Sequence, residues 1–229
     1  MFAADEIAHR LGEVRERIAR AAKRSARSPD AIRLMLASKT QPPDAVRAAY
    51  HAGARDFGEN YVQEAVSKRA ELRELSDARW HLIGHLQTNK AALAVTNFDV
   101  IQTLDSARLA EAIARAHPSP PMRTLVEVNL GGEASKSGVA PDQVEALIES
   151  ARAMVHIIGL MTIPPPSKGL DGARKYFAQL RTLRDRLAAS SGLALSELSM
   201  GMTEDFEVAI EEGATMVRVG RAVFGERRK

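Results

Sequence analysis

Apolar positions along the chain follow two spacings in alternation. Ile7, Leu11, Val14 and Ile18 recur at helical spacing, with Glu13, Arg15, Glu16 and Arg17 on the other faces. That pattern predicts an amphipathic helix within residues 1–27, which Ser25 to Asp30 then break. Eight short apolar runs follow: Ile32–Ala37, Ala54–Phe57, Trp80–Ile83, Phe98–Thr103, Thr124–Val128, Val155–Met161, Leu193–Leu198 and Thr215–Val219. Helix signals come after each. Pro42-Pro43-Asp44 opens one helix and Gly53 closes it. Asp105 is placed to cap a helix that buries Leu109 and Ile113, and Asn60 is placed to cap another. Thr203 with Glu204 and Asp205 starts a helix that Gly213 ends, and Ala222 to Phe224 forms a short last one.

Strand-to-strand spacings of roughly 18 to 40 residues suit parallel pairing through right-handed crossovers. Eight such units predict an α/β fold, a single (β/α)8 TIM barrel over residues 31–229 behind the N-terminal helix. An open doubly wound sheet is the alternative. Nothing marks a linker, and Pro164-Pro165-Pro166-Ser167 reads as a stiff loop, so one domain spanning 1–229 is expected.

Composition narrows the class. With 45% hydrophobic, 27% charged and 4% aromatic residues, this is an ordered globular chain and not a collagenous or coiled-coil one. Cysteine is absent, which excludes disulfides, thiol catalysis and thiolate metal sites and suits a reducing cytoplasm. Net charge is only +3 from 32 basic and 29 acidic side chains. Local basic clusters are confined to Lys23-Arg24 and Arg227-Arg228-Lys229, so no nucleic-acid partner is expected. Asp5, Glu6, His9 and Arg10 fit no signal peptide. The longest apolar stretch, Met154 to Ile163, is interrupted by His156 and Thr162 and is too short for a bilayer. The expectation is a cytoplasmic protein with no membrane partner.

Functional groups of a barrel sit on the loops that follow its strands. Lys39 ends the first run, in Ala37-Ser38-Lys39-Thr40-Gln41-Pro42. A lysine drawn into a barrel mouth loses hydration, which favours the neutral amine that condenses with an aldehyde. The alternative is a solvated lysine at a strand end. Asn60, after Phe57-Gly58-Glu59, fits a ligand contact as well as a helix cap. His81 and His85 lie four apart on a strand, roughly 13 Å, too far to share one ion without a tight turn. No acidic cluster completes a site there, and no metal is expected.

The last two strands carry the sharper signal. Leu198-Ser199-Met200-Gly201-Met202-Thr203 and Val217-Arg218-Val219-Gly220-Arg221-Ala222 place glycines where strands pass into helices. Backbone N–H groups exposed there suit a phosphate, with Ser199 and Arg221 as added donors. Plain turn glycines and a core arginine are the alternative. Arg218 lies inside an apolar run and needs a polar partner. An aldehyde-capturing lysine across a mouth from a phosphate cradle describes a pyridoxal 5′-phosphate (PLP) site. Arginine at the pyridine nitrogen would keep that nitrogen unprotonated and the ring a poor electron sink.

These stretches, with Trp80-His81-Leu82-Ile83-Gly84-His85-Leu86-Gln87-Thr88-Asn89-Lys90, Val128-Asn129, Ser135-Lys136-Ser137-Gly138, Gly159-Leu160-Met161-Thr162-Ile163-Pro164 and Phe224-Gly225, closely resemble the YggS/PROSC family of pyridoxal phosphate homeostasis proteins along almost the whole chain. The resemblance implies the barrel of the alanine racemase N-terminal domain, PLP fold type III. It implies PLP on Lys39 as a Schiff base, ring nitrogen toward Arg218, and phosphate held by Ser199, Gly201, Gly220 and the neighbouring Arg221. Asn60 and Met161 would line the pocket, and Lys136 is a possible secondary PLP contact. Arg221 stands where many members have threonine, which exchanges a hydroxyl contact for backbone plus guanidinium.

The function implied is a PLP-binding protein, not an enzyme. It buffers the cofactor, delivers it to PLP-dependent apoenzymes and maintains vitamin B6 and amino/keto acid homeostasis. The alternative is a PLP-dependent amino-acid racemase-like enzyme. Racemases of this barrel type add a β-domain and take a second catalytic base from a partner subunit. Here only four residues follow Gly225, so a monomer with a one-chain site is expected. A racemase also needs an acid/base on each substrate face. Lys39 could serve one, and Tyr61, the nearest candidate for the other, could simply pack on its helix.

Overall fold

The computed structural model describes residues 4–116, 119–133, 137–165 and 169–226. Lys136, Pro166-Ser167 of the stiff loop, and Arg227-Arg228-Lys229 lie outside the described residues. The eight apolar runs become eight strands: β1 Arg33–Ala37, β2 Asp56–Glu59, β3 Arg79–Leu82, β4 Val100–Leu104, β5 Arg123–Glu127, β6 His156–Met161, β7 Glu197–Ser199 and β8 Met216–Val219. All pair parallel in chain order, and β8 returns to β1 with Met35 opposite Arg218 and Leu36 opposite Val219. That closure decides against the open sheet, because a closed barrel leaves no strand edge unpaired.

A helix, α1 (Ala4–Arg24), precedes the barrel. Between and after the strands come α2 Pro43–His51, α3 Val62–Glu71, α4 Ala91–Val95, α5 Ala107–Ala116, α6 Val144–Ala151, α7 Gly169–Ser191, α8 Phe206–Glu211 and α9 Arg221–Phe224. The stripe of Ile7, Leu11, Val14 and Ile18 is buried and seats α1 against α2, α8 and α9. Each of those side chains contributes roughly 1.5–3 kcal/mol by leaving water. Arg17–Glu207 and Arg24–Glu211 pairs, both 2.7 Å, fix the seating and add little at such partly exposed positions. Among the described residues no helix is long and apolar enough to cross a membrane.

Local predictions fail in four places. Only Glu197–Ser199 of the seventh run is strand. The long α7 reaches Ser191, turns at Gly192 (φ +69°), and leaves Leu195 as a buried plug ahead of β7. Asp105 does not cap α5. Ser106 does, its Oγ accepting from Leu109 N at 3.3 Å, while Asp105 accepts from the Ser106 hydroxyl and pairs with His85 at 3.3 Å. Asn60 caps nothing, since Tyr61 is the capping position of α3 and makes no side-chain cap bond. The helix expected from Thr203 begins at Phe206, because Asp205 Oδ1 accepts from Met202 N at 2.7 Å and closes a turn first.

Candidate functional site

Lys39 sits half-buried just past β1, at the rim where all eight strands end. The residues on either side of it are held by one buried network. Lys68, on the inner face of α3 with Val62 and Ala65, is only 4% exposed. Its Nζ donates to Ser38 O at 2.8 Å, Glu59 Oε1 at 2.7 Å and Glu64 Oε1 at 3.1 Å. Ser38 Oγ donates to the same Glu59 oxygen at 2.7 Å, and Thr40 N donates to Glu64 Oε1 at 2.6 Å. Thr40 has φ +64°, a left-handed conformation costly for a β-branched residue, so the turn is held against its own preference. Burial pushes the Glu59 carboxyl above its ordinary value, opposed by Lys68 and Ser38.

Arg218, inside β8 and 3% exposed, is handled differently. Its Nη1 donates to Ser199 Oγ at 2.8 Å and its Nη2 to Thr162 O at 2.7 Å. Both partners are neutral. From Ser199 the bonds continue across the barrel interior. Ser199 Oγ donates to Gln102 Oε1 at 2.6 Å, Gln102 Nε2 donates to His81 Nδ1 at 3.0 Å, and His81 Nε2 donates to Asp56 Oδ1 at 2.9 Å. Arg79 closes the far end on Asp56 Oδ2 at 2.7 Å. From Arg218 to Asp56 every bond points the same way, from the guanidinium at the mouth toward a carboxylate at the opposite end, an order that requires the His81 proton on Nε2. Burial pushes the Asp56 carboxyl up, but bonds from His81 and Arg79 outweigh it and hold the group below its ordinary value. Burial draws the Arg218 guanidinium down to about 10, with Glu127 and Asp205 acting against the shift, so it remains charged at neutral pH.

The other expected site residues meet at the same rim with differing fits. Met161, at the end of β6, is buried opposite Glu127 of β5. Gly201 follows β7 with φ +89°, and a Cβ there would lie 2.5 Å from Ala209 Cβ, so only glycine fits. Gly220 backs onto Ala37, bringing the β8 loop beside the strand that carries Lys39. Ser199, the candidate phosphate donor, gives its hydroxyl proton to Gln102 and accepts from Arg218 in this structure. The Arg221 guanidinium, 52% exposed, is engaged by Glu204 at 3.0 Å. Tyr61 does not pack on its helix and is 63% exposed. The sequence pointed to neither Lys68, Gln102 nor Glu127. Glu127 is 7% exposed, its Oε2 has no partner, and burial, reinforced by Asp105, pushes its carboxyl up to about 7.

Residues 10–228 match the alanine racemase N-terminal domain family. The pyridoxal phosphate homeostasis protein of Aquifex aeolicus is 45% identical over 223 residues, covering 96% of this chain and 97% of that protein. The chain belongs to that family. Within the pyridoxal phosphate homeostasis family, the solved structure of PipY from Synechococcus elongatus with PLP bound is 39% identical and superposes with a TM-score of 0.85 over 96% of this chain and all of PipY. Alanine racemase from Corynebacterium glutamicum, 18% identical, shares the fold alone, with a TM-score of 0.72 over 98% of this chain and 62% of the racemase.

Proposed function

We propose that this protein binds PLP at the barrel mouth and holds it for delivery to PLP-dependent apoenzymes, sustaining vitamin B6 and amino/keto acid balance without catalysing a reaction of its own. Lys39 is the amine for the cofactor's aldehyde. Gly201 and the Gly220 loop offer backbone N–H groups to the phosphate, Asn60 and Met161 border the ring, and Arg218 faces its nitrogen. Ser199 acts by orienting Arg218, and Arg221 contributes its backbone more than its guanidinium.

Arg218 carries this reading. A buried guanidinium bonded to one hydroxyl and one carbonyl keeps N–H donors and a full charge, and a pyridine nitrogen is an acceptor of matching kind. PLP bound there supplies an aldehyde for amines and a ring that withdraws electrons weakly, because arginine does not protonate the nitrogen. The residues fit the group, since the mouth combines a buried guanidinium with N–H donors and a glycine cradle at Gly201 that a Cβ would fill. The protein on this reading is a monomer acting in the cytoplasm, with every group of the site supplied by one chain.

Borohydride reduction of the PLP-loaded protein followed by peptide mapping tests the anchor. Label on Lys39 is expected, and label chiefly on Lys136 would overturn the assignment. An amino-acid racemisation assay on the same preparation tests the carrier role. No turnover is expected, and sustained racemisation would favour the enzyme.

A further inference from the structure

A cavity opens at the same mouth, between the ends of β2, β3, β5 and β6, and shares Asn60 with the proposed PLP site. It measures about 240 Å³, and its walls combine Ile83, Val128 and Ile163 with Asn60, Glu127 and Asn129. Its polar atoms are unevenly satisfied. Asn129 Nδ2 donates to Glu133 O at 2.9 Å, and His85 on the rim is paired with Asp105. Glu127 Oε2 and Asn60 Oδ1 are buried with no partner. Both are acceptors. Gly84 makes this arrangement possible, because a Cβ there would lie 2.3 Å from Asn60 O and force the β2 end away. A native interior leaves few buried acceptors empty, since each costs about 1–3 kcal/mol. Two on residues lining one cavity, large enough for several heavy atoms, call for a ligand that brings donors.

We propose that this cavity is a binding subsite for a primary ammonium group on a small aliphatic body. Its N–H donors are held by Glu127 Oε2 and Asn60 Oδ1, and its carbons lie against Ile83, Val128 and Ile163. A hydroxyl supplies one donor and an ammonium three, and only the ammonium answers the acidic side chains Glu127 and Asp105 at this rim. The subsite does not depend on PLP occupying the main site. If PLP is there, the subsite places amines beside the group whose aldehyde reacts with them.

The full-length protein, PLP-loaded and unloaded, is titrated with ¹³C-labelled n-propylammonium chloride at fixed ionic strength and followed by NMR. Tetramethylammonium chloride, potassium chloride and alanine serve as comparison probes. Saturable n-propylammonium binding is expected in the unloaded protein, about tenfold or more weaker in Glu127→Gln and lost in Ile163→Trp, which fills the cavity from a partly exposed wall. Circular dichroism confirms that both variants fold. Equal binding of tetramethylammonium or potassium would overturn the proposal, because those cations bring charge without N–H donors. Wild-type affinity in Glu127→Gln would overturn it too. Alanine binding as tightly as n-propylammonium supports an amino acid as the occupant, and weaker binding supports a simple amine. A parallel PLP titration keeps the two hypotheses apart, since failure to load PLP counts against the main site and leaves the ammonium result standing.

Discussion

Two buried cations serve the same barrel mouth, and they are neutralised in opposite ways. Lys68 has carboxylates within 2.7 and 3.1 Å, and its remaining bond goes to the backbone beside Lys39. Arg218 contacts a hydroxyl and a carbonyl, and its hydrogen-bonded path to a carboxylate runs through Ser199, Gln102 and His81 before reaching Asp56. A cation neutralised on the spot is a structural clamp, whose charge is cancelled before a ligand can feel it. A cation neutralised at a distance keeps its field in the mouth, where a ligand can use it. On the proposed reading, the difference separates the part of the site that holds the Lys39 turn from the part offered to the cofactor ring.

The largest effect should come from breaking the local pair. Lys68→Met leaves Glu59 buried and unpaired, and unfolding in urea should show a loss of about 3–5 kcal/mol. Adding Glu59→Gln to it should recover much of that loss. A loss confined to PLP binding, with unchanged stability, would mean that the clamp is not structural.

Next is Glu127, whose folded carboxyl titrates near 7 against an ordinary value of 4.5. Between those values the unfolded chain ionises while the folded one keeps its proton, so the group's contribution falls as pH rises and levels off above 7. The full difference is about 3 kcal/mol at most. Glu127→Gln should therefore stabilise the unloaded protein at pH 8 relative to wild type and change it little at pH 4. Equal effects at the two pH values would remove the buried, proton-bearing carboxyl from the account.

Severing the relay should cost less. Gln102→Leu strands His81 Nδ1 and the Ser199 hydroxyl, about 1–3 kcal/mol, and should weaken PLP binding through a misdirected Arg218. The smallest effect belongs to Arg221→Ala, which removes an exposed pair with Glu204 worth about 0–1 kcal/mol. Equilibrium PLP titrations should show a greater loss for Arg218→Ala than for Arg221→Ala. The reverse order would shift the weight of binding from ring to phosphate.

Much of this was legible in the sequence because periodicity reports burial. Eight apolar runs between helical stripes specify the barrel, and Lys39 and Arg218 stand out as charges interrupting or ending such runs. Tertiary proximity is not written that way. Gln102 reads as one polar residue in a strand until barrel closure turns it inward between Met35 and Met216. Lys68 looks like any helical lysine, although its spacing from Val62 and Ala65 puts it on the apolar face, a signal that was there to be used. Ser106 displaced Asp105 as a cap because His85 competes for the carboxylate, a contact between loops distant in sequence. The place of Ser199 after an apolar run suggests a phosphate donor, but its bonds to Gln102 and Arg218 depend on barrel closure and leave no mark on the sequence.

The central claim, that a clamped Lys39 anchors PLP while the rest of the mouth binds it independently, is tested most directly by the visible absorbance of Lys39→Ala mixed with PLP. Far-UV circular dichroism should be unchanged. The yellow band of the lysine-linked cofactor should disappear, and weakened PLP binding should persist through Arg218 and the glycine loops. A Lys39→Ala protein that keeps the band, with no reducible label on Lys136, would contradict the account.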